Sequence, residues 1–315
     1  MFQSIDDITE ALRKRNYIAD PNISTVVFLA QKMGKPVLVE GPAGVGKTEL
    51  SKALAAALGR ELVRLQCYEG LDESKALYEW EYGKQLLYTQ LLKDKISTIT
   101  EGTRTLSEAI ERISAEESVF FSQRFILPRP LLRAVTSDEP VVLLVDEVDK
   151  SDPEFEAFLL EILSDFQVTV PELGTIQARH KPLVFLTSNN LREMSDALKR
   201  RCLHLYIDFP DQDRELEIVR LRVPEAGEKL AGDVVRLVQK IRQLDLKKLP
   251  SISESIDWVK SLTLLNADSL EPALVESTLN VILKFENDIE KAREHLRGQP
   301  LTQPESAPGS DNLRH

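Results

Sequence analysis

The sequence predicts an α/β protein, with a mostly parallel sheet covered by helices on both faces, followed by a smaller all-helical unit. Three observations carry this. Short apolar runs alternate with helical patterns as far as Phe209, the order that builds parallel sheets through helical crossovers. The first of these runs opens into a glycine-rich turn and then a helix. From Gln212 to Arg297 the periodicity is helical without a convincing strand, and Pro210-Asp211 marks the change. The expected division is therefore an α/β domain over 1–209, with an insert at about 71–118, a helical unit over 210–297, and a proline-containing disordered tail over 298–315.

Taken in order, Ile5, Ile8 and Leu12 recur at helical spacing, so the chain opens on a helix. A second helix follows Asp20-Pro21 and stops at Gly34. Pro36 to Val39 is a short strand, and residues 49–58 form an Ala- and Leu-rich helix closed by Gly59. Alternation over 61–67 marks a half-buried strand. Residues 74–93 read as helix, interrupted near Trp80, Tyr82 and Gly83. Residues 95–118 are polar and charged, with a helix-forming piece at 106–113, and read as an insertion. Helix resumes after Pro130. The continuous apolar run 141–145 is the strongest buried strand. Residues 153–166 form an amphipathic helix and 167–181 a hairpin. Residues 183–186 and 203–207 add two buried strands.

Composition narrows the function. Hydrophobic residues make up 42% of the 315, enough for a sizeable core. The net charge of −11 disfavours a phosphate-backbone binder, so no nucleic-acid partner is expected. Two cysteines, Cys67 and Cys202, without a CxxC pair exclude a disulfide scaffold and a cysteine-built zinc site, and buried, inert thiols are expected. The four histidines show no ligand spacing, so no transition-metal site is expected. The first residues carry Asp6, Asp7 and Glu10 rather than a signal-peptide layout, and no apolar run approaches the ~20 residues that span a bilayer. A cytoplasmic protein without stable membrane insertion is the expectation.

The chemistry concentrates at strand ends. Gly41-Pro42-Ala43-Gly44-Val45-Gly46-Lys47-Thr48 fits the phosphate-binding pattern G-x-x-x-x-G-K-[ST], and Glu49 continues it into the helix. Glycines let backbone N–H groups curl towards phosphate oxygens, and the helix N-terminus adds its dipole. Lys47 reaches the β/γ-phosphates and the Thr48 hydroxyl ligates Mg²⁺. The apolar strand 141–145 delivers Asp146 and Glu147 to its carboxyl end, the crevice where open α/β sheets bind ligands. Asp146 suits Mg²⁺, and Glu147 suits activation of a water. Asn189 closes another strand and offers an amide to position that water. Lys199-Arg200-Arg201 reads either as a solvated charge run, the reading these residues favour by themselves, or as an arginine presented to a neighbouring subunit's γ-phosphate.

That order of motifs resembles the AAA+ ATPases from about Ile18 to Leu296, and within them the MoxR family. The narrower resemblance rests on 41–48, 145–149, the hairpin 168–174, and a separation of 99 positions from Lys47 to Asp146 that leaves room for an inserted segment. Residues 64–72 and 250–258 resemble the subgroup associated with carbon monoxide dehydrogenase maturation. The resemblance implies a P-loop NTPase of three-layer αβα form with a helical lid, using ATP and Mg²⁺. It implies Asn189 as sensor 1, and Arg201, with Arg200 as fallback, as arginine finger. It further implies a homo-oligomeric ring, expected to be a hexamer, a von Willebrand factor A-domain partner and a metalloenzyme client. One departure stands out. Ser253-Glu254-Ser255 supplies no sensor-2 arginine, leaving Arg236 or Arg242 as substitutes. Two other classes compete: a small-molecule P-loop kinase, disfavoured by the Asp146-Glu147 pair, and a nucleic-acid motor, disfavoured by the acidic charge.

Five of the eight tyrosines and tryptophans (Tyr68, Tyr78, Trp80, Tyr82, Tyr88) cluster among acidic residues. Packing against a neighbouring helix or subunit is the default reading of this group, and a substrate-contacting pore loop the next. The acidic, aromatic insert is the expected docking surface for the A-domain partner.

Overall fold

A computed structural model describes residues 2–91, 105, 125–170 and 174–297. The chain divides into two compact units, one of 1–15, 19–41 and 47–206, the other of 16–18, 42–46 and 207 onward. Among the described residues, strands in chain order are β1 (Val37–Glu40), β2 (Leu62–Gln66), β3 (Tyr78–Trp80), β4 (Ile126–Pro128), β5 (Val142–Asp146), β6 (Gln167–Val170), β7 (Gly174–Gln177), β8 (Leu183–Ser188) and β9 (Leu203–Tyr206).

The first unit is built on the expected parallel sheet, in the order β2-β5-β8-β1-β9. Each step passes through a helical crossover, as parallel pairing requires. The β5 and β8 strands are buried along their whole length, because helices cover the sheet centre. At one edge β2 alternates, with Val63 and Leu65 inward and Arg64 and Gln66 outward. At the other edge lies β9. It is expected to be a buried strand, yet His204 and Tyr206 are exposed while Leu205 between them is buried, because successive side chains alternate between the two faces of the sheet.

Local chemistry explains the helix boundaries. Ser4 and Asp7 form a reciprocal capping box at α1 (Ile5–Arg13). Asp20 caps α2 (Pro21–Met33) by accepting from Ile23 N at 2.7 Å, with Pro21 in the first turn and Gly34 ending the helix at φ +63°. The α3 helix (Lys47–Leu58) packs against β2, β5 and β8.

The stretch expected as one interrupted helix over 74–93 is three elements: α4 (Glu73–Leu77), β3, and α5 (Tyr82–Leu91). Tyr78 and Trp80 favour a strand, and β3 pairs antiparallel with β4, a partner far along the chain. The Trp80 ring stacks near Phe125 at 6.3 Å, so part of the aromatic cluster is packing, whereas Tyr82 is exposed. Gly83 lies inside α5 rather than breaking it. Apart from Thr105, the expected insertion 95–118 falls outside the described residues, as does the tail 298–315. The expected hairpin is the antiparallel pair β6–β7. Cys67 and Cys202 are both buried, and burial pushes each thiol up to about 12, far from thiolate formation at neutral pH.

The second unit contains helices Gln212–Arg222, Glu228–Ile241, Ile252–Leu264, Pro272–Ile282 and Glu286–Leu296. Their apolar faces enclose Trp258, whose indole N–H donates to Thr278 Oγ1 at 2.9 Å. Glu215 is fully buried there. It accepts both arms of the Arg242 guanidinium at 2.5 and 2.6 Å, Gln239 Nε2 at 2.7 Å and the Ser255 hydroxyl at 2.7 Å. Arg242 also donates to Pro250 O. This corrects one expectation: Arg242 is committed to an internal ion pair and is not a spare phosphate sensor. Arg236 pairs with Asp233 at 3.5 Å. Ser253-Glu254-Ser255 lies in the first turn of Ile252–Leu264, where Glu254 completes a capping box with Ser251. Among the described residues, no helix is long and apolar enough to cross a membrane.

Candidate active site

Four neighbouring strands bring their carboxyl ends together. In sheet order these contribute Gln66 from β2, Asp146 from β5, Thr187 from β8, and the loop after β1 that begins at Gly41. The loop turns through φ +147° at Gly41, +76° at Gly44 and +97° at Gly46. An L side chain at Gly44 or Gly46 would be strained, and the conformation is the one that points successive N–H groups into a concavity.

Lys47 opens α3 and is buried. Its ammonium donates to Gly41 O at 2.7 Å and to Asn189 Oδ1 at 2.8 Å. Burial lowers its pKa to about 8, against the opposing pull of Asp149, Asp146 and Glu147. Thr48 donates its hydroxyl to Asp146 Oδ1 at 2.9 Å. Thr187 donates to the same oxygen at 2.6 Å and accepts from Glu147 N at 2.9 Å, so one hydroxyl joins both acidic residues. The other Asp146 oxygen, Oδ2, accepts from Arg64 Nε at 3.1 Å and Nη2 at 2.6 Å.

Glu147 sits in the left-handed region at φ +56°. Gln66 Nε2 and Lys150 Nζ each donate to its Oε2 at 2.7 Å, and Asn189 Nδ2 to its Oε1 at 3.3 Å. Asp149, also buried, fixes the loop behind Asn189 by accepting from Asn189 N at 2.9 Å and Leu191 N at 3.0 Å.

The structure thus brings together Gly41, Lys47, Thr48, Asp146, Glu147 and Asn189. Pro42, Ala43, Gly44, Val45 and Gly46 form the loop between them, and Glu49 lies in the first turn of α3, paired with Lys52 at 3.5 Å. Arg200 and Arg201 do not share a hydrogen bond with this cluster. Both are exposed at the end of the helix Asp196–Arg201, where Arg201 donates to Ser164 Oγ and to Ala197 O. Sequence reasoning gave no role in the site to Arg64, Gln66, Lys150, Asp149 or Thr187, although 64–72 and 145–149 carry the family resemblance. The alternation of β2 places Arg64 and Gln66 on one face, but only the β2–β5 register, with Gln66 opposite Asp146, shows what they face.

The donor set fits a nucleotide with Mg²⁺. The oxygens of Thr48 and Asp146 are hard ligands, adjacent at 2.9 Å, of the kind Mg²⁺ takes beside phosphate oxygens. A buried ammonium next to a glycine loop suits phosphate.

A curled glycine loop, a lysine and a paired acidic strand end define a P-loop nucleotide hydrolase. More narrowly, the chain belongs to the family described as AAA domain (dynein-related subfamily), whose model matches residues 36–202, and this segment is an ATPase domain. Relatives include the gas vesicle ATPase GvpN1 of Halobacterium salinarum, 25% identical over 67% of this chain and 57% of that protein. Protein NorQ of Paracoccus denitrificans is 26% identical over 76% of this chain and 79% of its own. The chaperone protein ClpB of Corynebacterium diphtheriae is 28% identical over 73% of this chain and 24% of its own. The chain therefore spans a little over half of GvpN1 and a quarter of ClpB.

Proposed function

We propose that this chain is a MoxR-type AAA+ ATPase that couples ATP hydrolysis to remodelling a protein client. The observation that carries this reading is the convergence of Lys47, Thr48, Asp146, Glu147 and Asn189 within one hydrogen-bonded cluster at adjacent strand ends. When bound, ATP with Mg²⁺ supplies the phosphoanhydride to be cleaved. The loop 41–48 and the Lys47 ammonium hold its phosphates, and Thr48 and Asp146 hold the cation. Glu147 accepts a proton from the attacking water. Asn189, bonded to both Lys47 and Glu147, keeps the base aligned with the phosphate-binding ammonium.

Arg201, with Arg200 as fallback, acts on the active site of a neighbouring subunit in a ring, expected to be hexameric. Their exposure on a helix end supports a role in trans. The client reading is supported by the motif resemblance and by relatives named as chaperones. In that reading an A-domain protein presents the client, a metalloenzyme such as carbon monoxide dehydrogenase, in the cytoplasm, and the insert at about 71–118 is the docking surface.

The test is subunit mixing. Arg201→Ala should lower ATPase activity by ~10³–10⁵-fold, and mixing it with inactive Lys47→Ala should restore part of the activity, because each supplies what the other lacks. Activity independent of protein concentration, without rescue, would refute a shared site. Deleting 95–118 should weaken capture of an A-domain protein in ATP while basal ATPase persists.

A further inference from the structure

From the half-exposed strand β2, we infer that Arg64 is the positioning residue that decides which oxygen of Asp146 faces the divalent cation. This rests on the proposed Mg²⁺–nucleotide role of Asp146.

In this structure both carboxylate oxygens are spent. Oδ1 accepts two hydroxyls, from Thr48 and Thr187, and Oδ2 accepts two N–H groups from one guanidinium. The two sides are not equally easy to free. A hydroxyl hydrogen turns about its C–O bond with no heavy atom moving, and a Thr48 oxygen so turned presents its own lone pair to a cation. Freeing Oδ2 means breaking a charge-assisted pair in which one guanidinium places two N–H groups on that oxygen, at 2.6 and 3.1 Å. A cation at Asp146 therefore meets Oδ1, beside Thr48, while Oδ2 stays with Arg64. The guanidinium also restrains rotation of the carboxylate, so Asp146 offers one oxygen rather than chelating through two.

Arg64 is itself restrained. Its Nη2 donates to Gln66 Oε1 at 2.5 Å, and Gln66 passes its own N–H to Glu147. Two residues on one face of β2 thus hold the two carboxylates at the end of β5, each by a different donor. Asp146 is buried whereas Arg64 is 46% exposed, so the guanidinium approaches from solvent and does not form part of the core. Removing it disturbs the carboxylate more than the fold.

The experiment measures Mn²⁺ binding by electron paramagnetic resonance in the presence of a non-hydrolysable ATP analogue, alongside binding of a fluorescent ATP analogue in EDTA. Arg64→Ala should weaken Mn²⁺ binding by about ten- to hundredfold, the usual effect of removing a group that orients a metal ligand, and leave metal-free nucleotide binding within about twofold of wild type. Arg64→Lys, which keeps the charge but loses the two-pronged geometry, should recover part of the affinity. Unchanged Mn²⁺ affinity in Arg64→Ala, or equal losses with and without metal, would overturn the inference. Absence of Mn²⁺ binding in wild type and in Asp146→Ala alike would instead overturn the reading of the site itself.

Discussion

Asp146 and Glu215 are both buried carboxylates, one in each unit, and they keep different company. Glu215 is held by Arg242, itself 6% exposed, and by Gln239 and Ser255, all directed inward. Asp146 is held by two hydroxyls that can turn away and by an arginine rooted in solvent. Satisfied by fixed partners, a buried carboxylate is a bolt. Satisfied on one oxygen by hydroxyls that can turn away, it keeps that oxygen available to the cation proposed above. The difference lies in the neighbours, since each carboxylate has its hydrogen bonds met.

The comparison breaks first at its strongest point. Arg242→Ala should remove about 3–5 kcal/mol of stability from the helical unit, because it strands a charge in the core, as urea unfolding would report. A loss under about 1 kcal/mol would show that Glu215 is no bolt. Glu147→Gln should slow ATP turnover at least ~100-fold, with the melting temperature and ATP binding kept, while Lys47→Ala should lose nucleotide binding. Near wild-type turnover in Glu147→Gln would remove the assigned base.

Thr187→Val keeps the side chain's shape but deletes the hydroxyl shared by Asp146 and Glu147 N. It should cost about 1–3 kcal/mol through the stranded groups and lower turnover as well. A stability loss without a kinetic one would separate the hydroxyl from the chemistry.

The smallest effect is with pH. Burial depresses the Lys47 pKa to about 8, below the 10.5 of an ordinary lysine amine. The buried ammonium therefore weakens the fold below about pH 8, and this penalty fades as pH rises from 8 towards 10.5. Nucleotide affinity runs the opposite way, because phosphate needs the charged form. Metal-free binding should weaken by at most about tenfold per pH unit above 8, and Lys47→Arg should flatten that slope.

Much of the fold was legible because its signals are local. The run 141–145, the glycine loop and the caps at Asp20 and Gly34 each announce themselves within a few residues. The exceptions share a cause. Pairing of β3 with β4, and the edge position of β9, depend on which distant strand arrives alongside, and no local pattern records that. The same holds at the site. Lys47, Thr48, Asp146 and Glu147 belong to contiguous motifs, whereas Arg64 looked like the polar phase of an alternating strand until β5 was laid beside it. Arg242 erred in the other direction, since an arginine at a helix end in the second unit invites a ligand role and only the packing shows it bound to Glu215.

The backbone at Glu147 has a consequence for thermal adaptation. A left-handed conformation costs an L residue without special side-chain help roughly 1–2 kcal/mol, and Glu147 adopts it at φ +56°, ψ +50°. Glycine or asparagine would occupy that position with less backbone strain, so Glu147→Gly and Glu147→Asn relieve that cost while removing the proton acceptor proposed above. Selection for heat resistance alone would favour replacing the residue proposed above as the hydrolytic base. Heat-resistant variants that stay active must gain their stability elsewhere in the chain.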